Sequence, residues 1–194
     1  MGRAERARLD GFGRAYEAAD NGPKRLDAFK DIQSVGEWVA AQPWADKNRI
    51  VIFGGSYGGY SVLIGLTRMP KLWRAGVDIS GITNMKSFMS TTTGVIRELF
   101  KVELGDPDKD AAFLDTISPI KDVNQITSPL FVFAGVNDPR VPRGEADQIV
   151  VALRTRAIPV EYMLKDDEGH GITRRDNNVE FLSRSARFLE THLK

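Results

Sequence analysis

Residues 49–59 read Arg-Ile-Val-Ile-Phe-Gly-Gly-Ser-Tyr-Gly-Gly, an apolar, β-branched run that enters a glycine-rich turn. The run predicts a buried strand, and the apolar spacing after the turn predicts a helix over about 57–69. Ser56 lies between the two, with a glycine two positions before it and another two positions after it. Strand, G-x-S-x-G turn and helix in this order are typical of a nucleophile elbow, which lifts a serine hydroxyl at the carboxyl end of a strand. The alternative is a glycine-rich turn in which Ser56 only caps the helix.

The alternation of strand and helix continues on both sides of this turn. Further strands are predicted at 75–79, 130–134 and 160–164, and helices at 24–41, 144–155 and 177–193. Such alternation predicts an α/β fold with a mainly parallel sheet, flanking helices and right-handed crossovers.

Two segments depart from the alternation. Residues 84–124 are expected to form a helical insertion over one end of the sheet, with helical stretches at 85–89 and 95–104. Residues 1–23 are polar and punctuated by glycine, so we expect an arm or loop there, ahead of a single domain over 24–194.

The composition excludes several classes of function. Among 194 residues, 27 basic and 26 acidic side chains leave a net charge of +1, which argues against binding to nucleic acid or to acidic membranes. The absence of cysteine excludes disulfides and cysteine-ligated zinc, and two histidines cannot form a three-histidine site, so we expect no metal and no cofactor. No leader or membrane-spanning run is visible, and we therefore expect a cytoplasmic protein.

A serine nucleophile needs a base, which is almost always a histidine. His170 follows the strand predicted at 160–164, so it should emerge at the same edge of the sheet as Ser56. His192 lies near the end of the last predicted helix and is expected at the surface. His170 is therefore the candidate base, and the alternative is a loop histidine that makes only local hydrogen bonds.

The base in turn needs a carboxylate that orients it. Asp138 follows the strand predicted at 130–134, and the chain order Ser, Asp, His is that of the nucleophile-elbow hydrolases. We therefore predict that Asp138 completes a catalytic triad. The rival acids share one loop with His170 and are expected to form a solvated charged turn; they are Asp166, Asp167 and Glu168.

Three motifs in this order resemble the catalytic domain of the prolyl oligopeptidase family of serine peptidases: GGSYGG at 54–59, NDPRVP at 137–142 and DEGHG at 167–171. The resemblance runs from about residue 11 to the end of the chain and is nearest to the acylaminoacyl-peptidase-like and dipeptidyl-peptidase-like branches. It implies an α/β-hydrolase fold with the same three triad residues. It also implies a substrate-binding role for Arg140. In several members of the family, a polar side chain two residues beyond the triad aspartate binds a substrate carbonyl, and Arg140 occupies that position here.

The sequence also departs from the resembled family, in which a β-propeller and several strands precede the nucleophile strand. The hydrolase fold is therefore expected to be truncated, with an exposed sheet edge at 49–53 and with the backbone N–H of Tyr57 as the remaining oxyanion donor. An exposed edge and the apolar face beside it invite pairing, so we predict a homo-oligomer, most simply a dimer.

Together these observations predict a serine hydrolase of the carboxylesterase type, which cleaves small acyl esters through an acyl-enzyme on Ser56. Activated esters tolerate an incomplete oxyanion hole because their leaving groups are good. The candidate lining of the acyl pocket, equally well explained as helix core, is Ile82, Phe88 and Met89. One alternative is an oligopeptidase or aminopeptidase acting on short peptides, and another is a catalytically silent interaction subunit.

Overall fold

The computed structural model describes residues 13–194, which form a single sheet flanked by helices. The helices are α1 (Arg14–Glu17), α2 (Arg25–Ala40), α3 (Tyr57–Arg68), α4 (Met85–Thr91), α5 (Gly94–Leu104), α6 (Ala111–Thr116), α7 (Gly144–Thr155) and α8 (Arg175–His192). The strands are β1 (Val51–Gly55), β2 (Ala75–Ile79), β3 (Leu130–Gly135) and β4 (Val160–Lys165). Short 3₁₀ helices cover Ala18–Asp20, Gly22–Lys24 and Pro119–Gln125.

The four strands pair in the order β1-β2-β3-β4, and every pairing is parallel. This confirms the predicted α/β class, since parallel neighbours require a crossover between each strand and the next. The loops that follow the strands consequently meet at one edge of the sheet, where ligands of such folds bind.

Apolar side chains cover both faces of the sheet. On one face the strands pack against α3 and α7 through buried residues that include Val62, Leu66, Leu130, Val132 and Ile149. On the other face they pack against α8 through a set that includes Val77, Phe131, Phe133, Met163 and Phe181. Each fully buried side chain of this size contributes roughly 1.5–3 kcal/mol, so the strand ends that carry the loops are firmly held.

The helical insertion predicted at 84–124 contains α4, α5, α6 and the 3₁₀ helix Pro119–Gln125. Its apolar side chains pack on Tyr60 and Ile64 of α3 and form one buried cluster with them. The helix α6 was not among the predicted stretches, because its six residues are too few to show a helical period.

The expectation of an arm or loop over 1–23 is wrong for the part that the structure describes. Residues 14–20 and 22–24 form α1 and two 3₁₀ helices, and Gly22 turns the chain with a φ of 56°. This turn brings Asp20 back onto Arg25, with which it forms a buried ion pair. Residues 1–12 lie outside the described part, and the division into an arm and one domain stays a prediction.

The strand β1 lies at one end of the strand order and, within residues 13–194, pairs only with β2. Phe53 of this strand exposes 56% of its surface, although its ring also meets Phe181 of α8. The sheet edge predicted at 49–53 is therefore present in the described residues. None of the helices described is long and apolar enough to cross a membrane.

Candidate active site

Ser56 occupies a sharp turn between the end of β1 and the start of α3. Its backbone has a φ of 57° and a ψ of −121°, a conformation that a non-glycine residue adopts only under constraint. Its N–H donates to the carbonyl of Ile79 on β2 over 2.7 Å. A methyl group on Gly54 would lie 2.3 Å from the carbonyl oxygen of Gly58, so only glycine at position 54 lets the strand and the helix approach this closely. These are the features of a nucleophile elbow.

The structure brings Ser56, His170 and Asp138 together at the carboxyl edge of the sheet. The Nε2 atom of His170 lies 2.8 Å from the Oγ atom of Ser56, and its Nδ1 atom lies 2.8 Å from Oδ2 of Asp138. These partners assign the imidazole proton to Nδ1, which donates to the carboxylate and leaves Nε2 to accept from the serine hydroxyl. The arrangement is that of a general base aimed at a nucleophile.

Asp138 is held in place by more than the imidazole. Its side chain is 1% exposed, and its Oδ1 atom accepts the backbone N–H groups of Arg140 and Val141 over 2.8 and 2.9 Å. Because these contacts occupy one oxygen, the second oxygen is left for His170. The carboxylate can therefore fix both the orientation and the tautomer of the ring.

The loop that carries His170 is anchored by Glu168, whose carboxylate is buried. It accepts the backbone N–H and hydroxyl of Thr173 over 3.0 and 2.7 Å, the N–H of Arg174 over 2.9 Å and the amide of Asn177 over 2.9 Å. Burial opposes its ionisation, but the donors from Asn177, Thr173 and Arg174 prevail and lower the pKa of Glu168 to about 2. The expectation of a solvated turn holds for Asp166 and Asp167 and is wrong for Glu168.

The loops of His170 and Asp138 are also fastened to each other. The N–H of Asn137 donates to the carbonyl of Glu168 over 3.0 Å, and its side-chain amide reaches the carbonyl of Asp166 over 2.5 Å. A methyl group on Gly135 would lie 2.3 Å from the carbonyl oxygen of Gly169, so the end of β3 approaches the histidine loop without room for a side chain. This close packing sets the separation of the acid and the base.

The predicted oxyanion donor, Tyr57, is the first residue of α3. Its backbone N–H lies in the first turn of that helix, where N–H groups have no intrahelical acceptor and negative charge is stabilised. Its hydroxyl accepts from the guanidinium of Arg25 over 2.8 Å, and its ring meets Tyr60 edge to face. Arg25 is 1% exposed and also pairs with Asp20. Sequence reasoning missed this buried arginine because Tyr57 and Glu103, which it also contacts, lie far from it in the chain.

The remaining predicted site residues fall into two groups. Arg140 is exposed beside Asp138, and within the described residues its side chain has no ion-pair partner. Ile82, Phe88 and Met89 are buried in the cluster that joins the insertion to α3, so they form core and do not line an open pocket. Their proposed role in an acyl pocket is therefore wrong, because an apolar run beside the sheet fits a packed cluster as well as a pocket.

A large cleft of about 730 Å³ opens at the other end of the sheet. It is lined by residues that precede the strands, among them Arg49, Arg74 and Pro129. Because the triad lies at the carboxyl ends of the strands, this cleft cannot deliver a substrate to Ser56.

Comparison with known proteins assigns these features to a family. The prolyl oligopeptidase family matches residues 9–194. Dipeptidyl aminopeptidase BIII of Pseudoxanthomonas mexicana is 39% identical over 184 residues, which is 92% of this chain and 27% of that protein. The human acylamino-acid-releasing enzyme is 28% identical over 173 residues, which is 84% of this chain and 23% of that enzyme. The chain thus spans about a quarter of the length of these relatives.

Solved structures show the same fold. The acylaminoacyl peptidase of Pyrococcus horikoshii superimposes with a TM-score of 0.86 at 22% identity, over 97% of this chain and 31% of its own. A puromycin-hydrolyzing peptidase of Mycobacterium tuberculosis superimposes with a TM-score of 0.85 at 24% identity, over 95% of this chain and 28% of its own.

Proposed function

Because the chain belongs to the prolyl oligopeptidase family, we propose that it is a serine peptidase that removes amino-terminal residues from short peptides. The observation that carries the proposal is the unbroken line of hydrogen bonds from Ser56 through His170 to Asp138. The amino-terminal preference is taken from the relatives, which are named as a dipeptidyl aminopeptidase and as acylamino-acid-releasing enzymes.

The proposed reaction follows from the geometry. As the Oγ atom of Ser56 attacks the scissile carbonyl, His170 Nε2 takes its proton, and Asp138 stabilises the resulting imidazolium. The carbonyl oxygen becomes an oxyanion at the N-terminus of α3, where the backbone N–H of Tyr57 donates to it. His170 returns the proton to the leaving amine, and water then releases the acyl group from Ser56 by the same steps in reverse.

The family favours peptides over the small esters that the sequence first suggested. The relatives are named as peptidases, and the three residues expected to line an acyl pocket are core. A paired assay decides between the substrates, with a dipeptidyl 4-nitroanilide and 4-nitrophenyl acetate at the same pH. Because the ester is intrinsically more reactive, an anilide with an equal or higher kcat/KM indicates transition-state binding directed at peptides. An ester preference of several orders of magnitude would restore the carboxylesterase hypothesis.

Arg140 is the proposed substrate-binding side chain. It is exposed, it follows Asp138 by two positions, and its guanidinium can donate two hydrogen bonds to a peptide carbonyl or carboxylate. Arg140→Ala should raise KM for the anilide more than for the ester, because 4-nitrophenyl acetate lacks a second carbonyl to bind. The control is Arg154→Ala, an exposed arginine on α7. Equal changes for both substrates would contradict the role.

The partner proposed is a second copy of the chain, seated on the edge of β1. The N–H and C=O groups on the outer side of β1 have no further strand to pair with in the described residues. The same strand of a second copy, related by a two-fold axis, can form an antiparallel pair with them. Exposed apolar side chains stand on this edge and on the adjoining helix α8; they are Phe53, Val179 and Leu182.

A further inference from the structure

Asp78 is a carboxylic acid buried directly behind the nucleophile turn. It lies on β2, where it pairs in register with Gly54 of β1, and its residue surface is 0% exposed. Its side chain faces α3: a methyl group on Gly59 would lie 2.2 Å from its Oδ1 atom, and one on Gly81 would lie 2.3 Å from the same atom. The carboxyl group is therefore wedged between the first turn of α3 and the loop that follows β2.

In the part of the chain that the structure describes, no ion pair involves this acid. Neither oxygen makes a well-formed hydrogen bond within the described residues, and the backbone N–H of Gly81 gives only a weak contact. Its register partners and glycine neighbours in the described residues carry no titratable side chain; they are Gly54 on β1, Val132 on β3, Gly59 on α3 and Gly81 in the following loop. An ionised carboxylate here would be a buried charge without compensation, which is far more costly than the neutral acid.

The electrostatics agree with this geometry. Burial raises the pKa of Asp78 to about 7, and the backbone N–H of Gly81 offsets only part of the effect. Burial also raises the pKa of the Glu145 carboxyl, but that carboxylate is met by several donors. It accepts the N–H groups of Thr83 and Asn84 over 3.0 and 2.8 Å.

We propose that Asp78 is a positioning residue of the nucleophile elbow that works in its neutral form, and that its ionisation slows acylation of Ser56. The inference rests on the proposed hydrolase function. As a neutral group it fills the space between Gly59 and Gly81 without disturbing the first turn of α3. As a carboxylate it would place negative charge against that turn, whose N–H groups must also stabilise the oxyanion.

The proposal predicts that kcat/KM has a descending limb at higher pH in addition to an ascending one. An ascending limb is general for a hydrolase with an imidazole base, because only the neutral ring can accept the proton. Activity should then fall as Asp78 ionises, by about two- to thirty-fold, the range for a charge at a helix N-terminus. The descending limb belongs to Asp78.

The test is the pH profile of kcat/KM for Asp78→Asn, which keeps the shape of the side chain and cannot ionise. We expect the variant to retain the ascending limb and to lose the descending one. Asp108→Asn, at an exposed position in the insertion, is the matched control and should keep both limbs. A descending limb that persists unchanged in Asp78→Asn would overturn the inference.

Two further measurements test the protonation of Asp78 without measuring a reaction rate. Because folding raises the pKa of Asp78, its stabilising contribution is complete below pH 4 and is lost as the pH rises towards 7. Stability of the wild-type protein should therefore fall relative to Asp78→Asn over that range. Infrared spectra of the wild-type protein should also show a protonated carboxyl at pH 6 that disappears above pH 8. This measurement does not need the variant, so it tests the inference even if Asp78→Asn does not fold. A carboxylate that is already ionised at pH 6 would contradict the inference.

Failure of the inference can be told apart from failure of the proposed function. A wild-type protein that hydrolyses neither substrate at any pH would remove the hydrolase function itself. Hydrolysis that depends on Ser56, with the same descending limb in wild type and Asp78→Asn, would remove only the role of Asp78.

Discussion

At the residue scale, Glu168 shows how much of the site is built outside the triad. Its two oxygens accept from Thr173, Arg174 and Asn177 and so tie the His170 loop to the start of α8. Glu168→Gln replaces one acceptor oxygen by a donor and leaves buried N–H groups unpaired. We expect the free energy of unfolding to fall by about 1–3 kcal/mol, measured by urea denaturation. The exposed Asp166→Asn in the same loop should have little effect.

The same residue predicts an acid limit to stability. Folding lowers the pKa of Glu168 from 4.5 to about 2, so its contribution is present above pH 4.5 and is lost as the pH falls towards 2. The free energy of unfolding of Glu168→Gln should therefore fall less steeply than that of the wild-type protein as the pH is lowered over that range. An unchanged decline would mean that Glu168 does not carry this part of the acid sensitivity.

The triad residues could be predicted from the sequence, whereas the groups that hold them could not. Ser56, Asp138 and His170 each follow a recognisable strand, and parallel strands bring their following loops to one edge. Burial of Arg25 and Asp78 depends on segments farther away in the chain, so local sequence gave no sign of it. For Glu168 the one available signal was the run of donors at 173–177.

At the element scale, the end of β3 and the histidine loop pack backbone against backbone. Gly135→Ala would place a methyl group 2.3 Å from the carbonyl oxygen of Gly169. The loop must move, so we expect a loss of about 1–3 kcal/mol in unfolding free energy together with a fall in kcat. Gly144→Ala is the matched control, because nothing lies within 4 Å of its added methyl group at the start of α7. It should be neutral or slightly stabilising, and equal losses in both variants would contradict the packing argument.

The sheet and the longer helices agree with their predicted positions within a few residues, because each has a clear apolar period. The elements that escaped prediction are short. Residues 14–20 and 22–24 are helical in a segment that reads as a turn, and the Asp20–Arg25 ion pair that holds them joins groups buried by α5 and α3. Tertiary contacts of this kind override local propensity.

At the scale of the whole molecule, the edge of β1 predicts self-association. Phe53→Glu adds a charge in the middle of this edge, where two copies would bring like charges together. We expect light scattering to give a dimer mass for the wild-type protein at micromolar concentration and a monomer mass for the variant. Val102→Glu, at an exposed apolar residue on α5, should remain dimeric. A wild-type monomer over this concentration range would contradict the proposed partner.

The most direct test of the account is labelling with a fluorophosphonate, which reacts with a serine only when a neighbouring base activates it. We predict a single adduct, located by mass spectrometry on the peptide that contains Ser56, and none in Ser56→Ala. His170→Ala should slow labelling by roughly 10⁴-fold or more, whereas His192→Ala, which alters the other histidine of the chain, should label like the wild type. An unlabelled wild-type protein, or His170→Ala labelled at the wild-type rate, would contradict the assignment of the catalytic triad.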